Sequence, residues 1–268
     1  MTELGGIHPI VYAFFDRFGA LDREAMRAQT EACVGFGAHG MAALGLATEV
    51  TKLTPAERRL VAQWLAEDVA GRVPFAITVN GATPIEQIEY VRGAEDLGAA
   101  WVILQPPAGK TPNEGELIRF FSTVMKATEL PCAIQNAPQF LGVGLSDEGL
   151  NRLRREAPNF TLLKGEGSAL AIGETIAATE GALANFNGRG GLELPDNFRA
   201  GCAGLIPAPE CADVQVRIWE AMAAGEDAKA EAAIRDALKH VNQKLAFDAR
   251  DKWKAKTRES RNTEREII

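Results

Sequence analysis

Pro74-Phe75-Ala76-Ile77-Thr78-Val79, Thr83-Pro84-Ile85-Glu86, Leu97-Gly98 and Ala100-Trp101-Val102-Ile103-Leu104-Gln105 follow one another and spell a strand, a helix start, a helix stop and a second strand. The two apolar runs are short and continuous, the pattern of strands covered on both faces. Between them Thr83 can cap the helix, Pro84 suits its first position and Glu86 closes a capping box. Leu97-Gly98 supplies the stop. The same device recurs in Leu53-Thr54-Pro55-Ala56-Glu57.

Outward from this unit, further apolar runs at 9–14, 40–44, 131–135, 160–164, 183–186 and 204–206 bring the predicted strands to eight. Amphipathic stretches separate them, such as 23–36, where Ala25, Ala28, Ala32 and Gly35 are spaced for one face. Strands alternating with helices predict a parallel sheet. Eight units between 9 and 206 suit a closed α/β (β/α)8 TIM barrel, with an open doubly wound sheet as the alternative. No Gly-x-Gly-x-x-Gly follows a strand; Gly188-Arg189-Gly190-Gly191 has the wrong spacing for a dinucleotide site. The expected organisation is a barrel over 1–208 and a C-terminal helical extension over 209–268, with helices at 209–224 and 226–250.

Of the 268 residues 46% are hydrophobic, enough for a large core, and 29 basic against 36 acidic side chains leave a net charge of −7. That balance argues against a nucleic-acid partner. The one basic concentration, 250–256, is interrupted by Asp251 and reads as a solvated tail. No apolar run reaches the ~20 residues of a membrane span, so the expected setting is cytoplasmic. Cys33, Cys132, Cys202 and Cys211 lie far apart, as do His8, His39 and His240, so neither disulfide nor metal spacing is present.

In such a barrel, chemistry gathers at the C-terminal strand ends. Those ends hold Tyr12, Thr48 with Glu49, Asn80, Gln105, Gln135 with Asn136, Lys164 with Glu166, Asn187 with Arg189, and Ile206. Lys164 stands apart because it terminates the apolar run Phe160-Thr161-Leu162-Leu163 and is followed by Gly165-Glu166-Gly167. A lysine amine taken out of water gives up its proton more readily, and the free amine attacks a carbonyl to form an imine. The same spacing also fits a lysine that only pairs Glu166.

Gly45-Leu46-Ala47-Thr48-Glu49, then Leu53-Thr54-Pro55-Ala56-Glu57-Arg58, Pro106-Pro107, Gln135-Asn136-Ala137-Pro138, Lys164, Asn187-Gly188 and Gly204-Leu205-Ile206 occur in an order that resembles the dihydrodipicolinate synthase / N-acetylneuraminate lyase family of class I aldolases. The resemblance runs from about Gly6 to Ala224. It implies the barrel, a homo-oligomer (dimer or tetramer), a small-molecule 2-oxo acid substrate, Lys164 as the imine former, and no metal or organic cofactor. Substrate contacts implied by position are Leu46, Ala47, Thr48, Asn136, Gly188, Arg189 and Ile206.

The departures bear on chemistry. The family's proton-transferring tyrosine after the fifth strand is Gln135, its threonines in the second loop are Leu46 and Ala47, and its partner-donated tyrosine falls at Pro107 or Ala108. An amide does not titrate, and Leu and Pro offer no side-chain proton. Thr48, one position displaced, and the loop's backbone N–H groups are what remain for a substrate carboxylate. The carboxylate-binding arginine of the synthase aligns with Phe140, which argues against dihydrodipicolinate synthesis. Glu166 and Tyr12 are the candidates to replace the proton relay, Glu166 only if the strand continues past Gly165, and Arg189 has a fork suited to a carboxylate. Two functions follow from this reading: a Schiff-base lyase, aldolase or hydro-lyase, or a silent or regulatory member that binds without turnover.

Overall fold

The computed structural model describes residues 4–240. Eight strands, β1 (Gly6–Ile7), β2 (Met41–Ala43), β3 (Phe75–Val79), β4 (Trp101–Leu104), β5 (Cys132–Asn136), β6 (Phe160–Gly165), β7 (Ala184–Asn187) and β8 (Gly204–Leu205), form one parallel sheet in the order β1-β8-β7-β6-β5-β4-β3-β2. A bridge between Ile10 and Ala42 completes the ring, with Val11 N–H donating to Ala42 O at 2.9 Å and Ala42 N–H to Pro9 O at 2.9 Å. The chain is a (β/α)8 TIM barrel.

Helices α1 (Arg23–Gly35), α2 (Pro55–Val69), α3 (Pro84–Asp96), α4 (Glu114–Met125), α5 (Pro138–Leu141), α6 (Asp147–Glu156), α7 (Ala169–Ala178), α8 (Leu194–Arg199), α9 (Ala212–Ala223) and α10 (Asp227–His240) connect and follow the strands. The capping boxes at Thr54/Glu57 and Thr83/Glu86 form as the sequence predicts, and Asn113/Glu116 adds a third. Each such cap is worth about 1 kcal/mol. α9 packs on β1 and α8, and α10 packs on α9 through Ala230 and Ile234. The rest of the expected C-terminal extension, including the basic stretch 250–256, lies outside the described residues.

Two expectations are corrected. The first strand is Gly6–Ile7 rather than a run from Pro9, because His8, a buried side chain directly after it, interrupts the apolar run that sequence reading relies on. Helix α1 does not bury its small-residue face: Met26, Thr30 and Cys33 are inward, while Ala28, Ala32 and Gly35 are exposed. The larger side chains remove more apolar area from water.

Alternation sorts the strand residues. Ile10, Ala42, Ala76, Trp101, Ile103, Ala133, Leu162, Phe186 and Ile206 fill the barrel. Their neighbours Met41, Ile77, Val102, Leu104, Ile134 and Leu163 face the helices and pack with Leu65, Val91, Phe121 and Leu153. Trp101 and Phe186 meet at 5.2 Å between ring centroids, and His8 sits edge-on to both. Gly40 makes room for that imidazole, since a Cβ there would lie 2.4 Å from it.

Candidate active site

β6 alternates Leu162 and Lys164 into the barrel, and its pairing with β7 sets Lys164 beside Phe186. Lys164 is therefore inward and only 3% exposed. Alternation continues past the end of β6: Glu166 lies on the same side, and Lys164 Nζ donates to its Oε1 at 2.7 Å. The strand itself does not continue past Gly165, its last residue, yet the carboxylate still reaches the amine; a Cβ on Gly165 would strike Ile172 Cδ1 at 2.4 Å.

Glu166 is held from several directions. Arg189 N–H donates to Oε2 at 2.6 Å, Gln135 Nε2 donates to Oε1 at 3.2 Å, and Gln139 Nε2 donates to the main-chain oxygen at 2.8 Å. Gly188 clears the space, because a Cβ there would fall 2.3–2.5 Å from the carboxylate atoms. The pairing of β5 with β6 sets Gln135 directly beside Lys164. Gln135 Oε1 accepts from Gln105 Nε2 at 2.7 Å, and Gln105 Oε1 accepts from Asn80 Nδ2 at 2.8 Å. Gln87 steadies Gln105 by donating to its main-chain oxygen at 2.9 Å. The three amides Asn80, Gln105 and Gln135 thus donate in one direction, toward the carboxylate, and aligned bonds of this kind reinforce one another.

Several residues singled out by sequence are engaged elsewhere. Tyr12 Oη donates to Glu210 Oε2 at 2.7 Å, and burial, then the Glu210 carboxylate, pushes this phenol above its usual range. Thr48 spends its hydroxyl hydrogen on Val11 O at 2.6 Å and accepts from Leu44 N–H at 3.1 Å. Asn136 binds both main-chain groups of Leu145 at 2.9 Å and so orders its own loop. The Arg189 guanidinium is turned to Glu193 at 3.1 Å; φ of +44° aims its amide, not its side chain, at Glu166. Ala47 packs on the barrel-filling cluster and Ile206 belongs to it, Leu46 is half-buried, and Phe140 is exposed.

The structure thus unites Lys164, Glu166, Gln135, Gly188 and the amide of Arg189, and adds Gln105, Asn80 and Gln139. Gln105 and Asn80 carried a signal, a polar side chain closing an apolar strand. Gln139 carried none, because its role depends on where the chain turns after β5. A cavity of about 810 Å³ between α2 and α3 is lined in part by Arg58, Glu86, Tyr90 and Asn80, so the amide chain ends at its wall. A second, of about 620 Å³, lies between α6 and α7. Among the described residues no group of three or more His, Cys, Asp or Glu side chains is placed to hold a metal.

Chemically, the site is a lysine and a carboxylate in contact, shielded from water and overlaid by neutral amides. A proton on the amine has an acceptor at 2.7 Å. Gly188→Ala pushes the Glu166 carboxylate off the amine; the expected result is a fall of about 100-fold in any lysine-dependent activity with the barrel intact by circular dichroism. Unchanged activity would show that Glu166 has no part in it.

Residues 3–252 match the model of the Dihydrodipicolinate synthetase family. A 4-hydroxy-tetrahydrodipicolinate synthase of Thermus thermophilus is 36% identical over 162 residues, 60% of this chain and 53% of that protein, so the chain spans about half the length of that relative. An L-2-keto-3-deoxyarabonate dehydratase of Azospirillum brasilense is 29% identical over 75% of this chain and 67% of its own. Among solved structures, YagE of Escherichia coli, a prophage protein of the dihydrodipicolinic acid synthase family in complex with pyruvate, superposes with a TM-score of 0.82 at 26% identity, covering 89% of this chain and 82% of that one. Among the described residues no helix is long and apolar enough to cross a membrane.

Proposed function

The chain belongs to the dihydrodipicolinate synthetase family, and from that premise we propose that it is a lysine-imine lyase, aldolase or hydro-lyase of a small 2-oxo acid, with Lys164 as the nucleophile. The observation that carries this reading is the inward Lys164 amine in contact with Glu166 at 2.7 Å. Glu166 Oε1 accepts a proton from Nζ, and the freed amine adds to the carbonyl carbon. The carbonyl oxygen takes protons and leaves as water, giving a protonated imine. That imine draws electrons from the adjacent carbon, which permits either C–C cleavage or loss of a β-hydroxyl, and needs no metal or organic cofactor. Glu166, the titratable group in contact with the amine, exchanges the protons; Gln135 orients it by donating N–H.

The relatives' printed activities fall in this range and include both synthase and dehydratase names. Dihydrodipicolinate synthesis is the reaction we assign least to this chain, since Phe140 stands where a carboxylate-binding arginine is implied. The 2-oxo acids that the resemblance implies are the first compounds to test.

A second reading, a binder without turnover, draws on Gln135, Leu46 and Ala47, none of which moves a proton. Reductive trapping with cyanoborohydride and a panel of oxo compounds, read by intact mass, tests the first reading. The expected result is a one-to-one adduct that maps to Lys164 and vanishes in Lys164→Arg, which keeps the charge but forms no imine. Absence of adduct across the panel overturns it. Turnover of a trapped compound then excludes the second reading, and an adduct without turnover supports it.

A further inference from the structure

Imine formation that starts from the Lys164 ammonium carries two protons in turn from Nζ to the carbonyl oxygen. The oxygen leaves as water, and the nitrogen keeps one hydrogen and the positive charge. Glu166, 2.7 Å from Nζ, is placed to carry both protons. Between pickup and delivery it holds a proton of its own, and where that proton can go depends on what surrounds the carboxylate. The other chain groups bonded to it are donors, Arg189 N–H to Oε2 at 2.6 Å and Gln135 Nε2 to Oε1 at 3.2 Å. As they stand, they give the carried proton no acceptor, and it remains for the reacting centre.

One acceptor lies close but is turned away. The Gln135 amide ends in an oxygen as well as an NH2 group, and a half-turn would bring that oxygen to Glu166. A charged carboxylate resists the turn by itself; a protonated one does not, because its O–H can donate to the amide oxygen. What opposes the turn at that moment is Gln105. Its Nε2 donates to Gln135 Oε1 at 2.7 Å, and after a half-turn two NH2 groups would face each other. Gln105 is itself held, its Oε1 accepting from Asn80 Nδ2 at 2.8 Å and its main-chain oxygen from Gln87 Nε2 at 2.9 Å. Both glutamines are 1% exposed, so a mismatched amide there carries its full cost.

Resting on the imine reading above, we infer that Gln105 is a positioning residue: it locks the Gln135 amide with its oxygen away from Glu166, so that the proton Glu166 carries passes to the substrate oxygen and not to the amide. Gln105 makes no hydrogen bond to Nζ or to the carboxylate and acts through Gln135.

Labelling of Lys164 by pyruvate and by 2-oxobutyrate, followed by intact mass and peptide mapping over a range of oxo acid concentration, tests this. Cyanoborohydride is raised until the rate no longer depends on it. Gln105→Met is close in length and leaves the main-chain oxygen to Gln87. It should lower the plateau rate about tenfold, the worth of one buried hydrogen bond, and leave the half-saturating concentration within twofold. A role in shaping the pocket would move the half-saturating concentration instead. Gln105→Leu, measured alongside, should behave as Gln105→Met. Gln135→Met should lower the plateau at least as far, and adding Gln105→Met to it should change nothing further, since no amide is left to turn. An unchanged plateau in both Gln105 variants, a shifted half-saturation or a further fall in the double variant overturns the inference and leaves the imine reading standing. No labelling of the wild type by either compound overturns both.

Discussion

Glu166→Ala should lower the unfolding free energy by about 3–5 kcal/mol at pH 7, the cost of leaving one member of a buried ion pair alone. The substitution strands Lys164, 3% exposed and donating to Glu166, among Leu162, Phe186 and other apolar neighbours. The reverse change, Lys164→Met, should cost less, about 1–3 kcal/mol, because Glu166 keeps N–H donors from Arg189 and Gln135. Removing both charges together, Lys164→Met with Glu166→Ala, should return most of the loss, since no buried charge is then left unpaired. Urea unfolding of the four proteins gives the coupling directly. If both single variants lie within about 0.5 kcal/mol of wild type, the pair is not shielded and the account of the site is wrong.

Acid should destabilise the barrel through His8. Burial, the largest influence, lowers this imidazole from 6.5 to about 4 in the folded chain, outweighing its bond to Gly5 O. Below pH 6.5 the unfolded chain binds a proton at His8 that the folded chain refuses until about pH 4. The contribution is complete above pH 6.5 and is lost as pH falls to about 4, by about 3 kcal/mol in all. His39, also lowered by burial, acts in the same sense. Unfolding of the wild type and His8→Leu at pH 7.5 and 4.5 isolates the effect from titrating carboxylates. The pH-dependent loss should be smaller in the variant by most of that amount, and equal losses in the two proteins would contradict it.

The barrel was legible because short, continuous strands and capped helices announce themselves locally. Thr83, Pro84 and Glu86 carry enough information to place the start of α3, and the apolar runs place β3 and β4. β1 was misplaced because a neutral buried histidine looks polar in a sequence and apolar in a core. Lys164 was legible for the opposite reason, a charge at the end of a run that excludes charge. Its surroundings were less so. Whether Glu166 reached back to the amine turned on one peptide's direction after Gly165, and the union of Asn80, Gln105 and Gln135 depends on three strands lying side by side. The Arg189 guanidinium pairs with the Glu193 carboxylate, and its N–H reaches Glu166 through a left-handed backbone that nothing in the neighbouring residues announces.

That left-handed turn changes what natural variation can act on at position 189. The group reaching the carboxylate is a peptide unit that every residue except proline possesses, so the identity of the side chain is free to drift while the shape of the turn is not. Glycine and asparagine, which enter this conformation with least penalty, would serve there as well as arginine. A comparison of relatives that scores only chemical likeness would find nothing to preserve at a point where the geometry is under strict constraint.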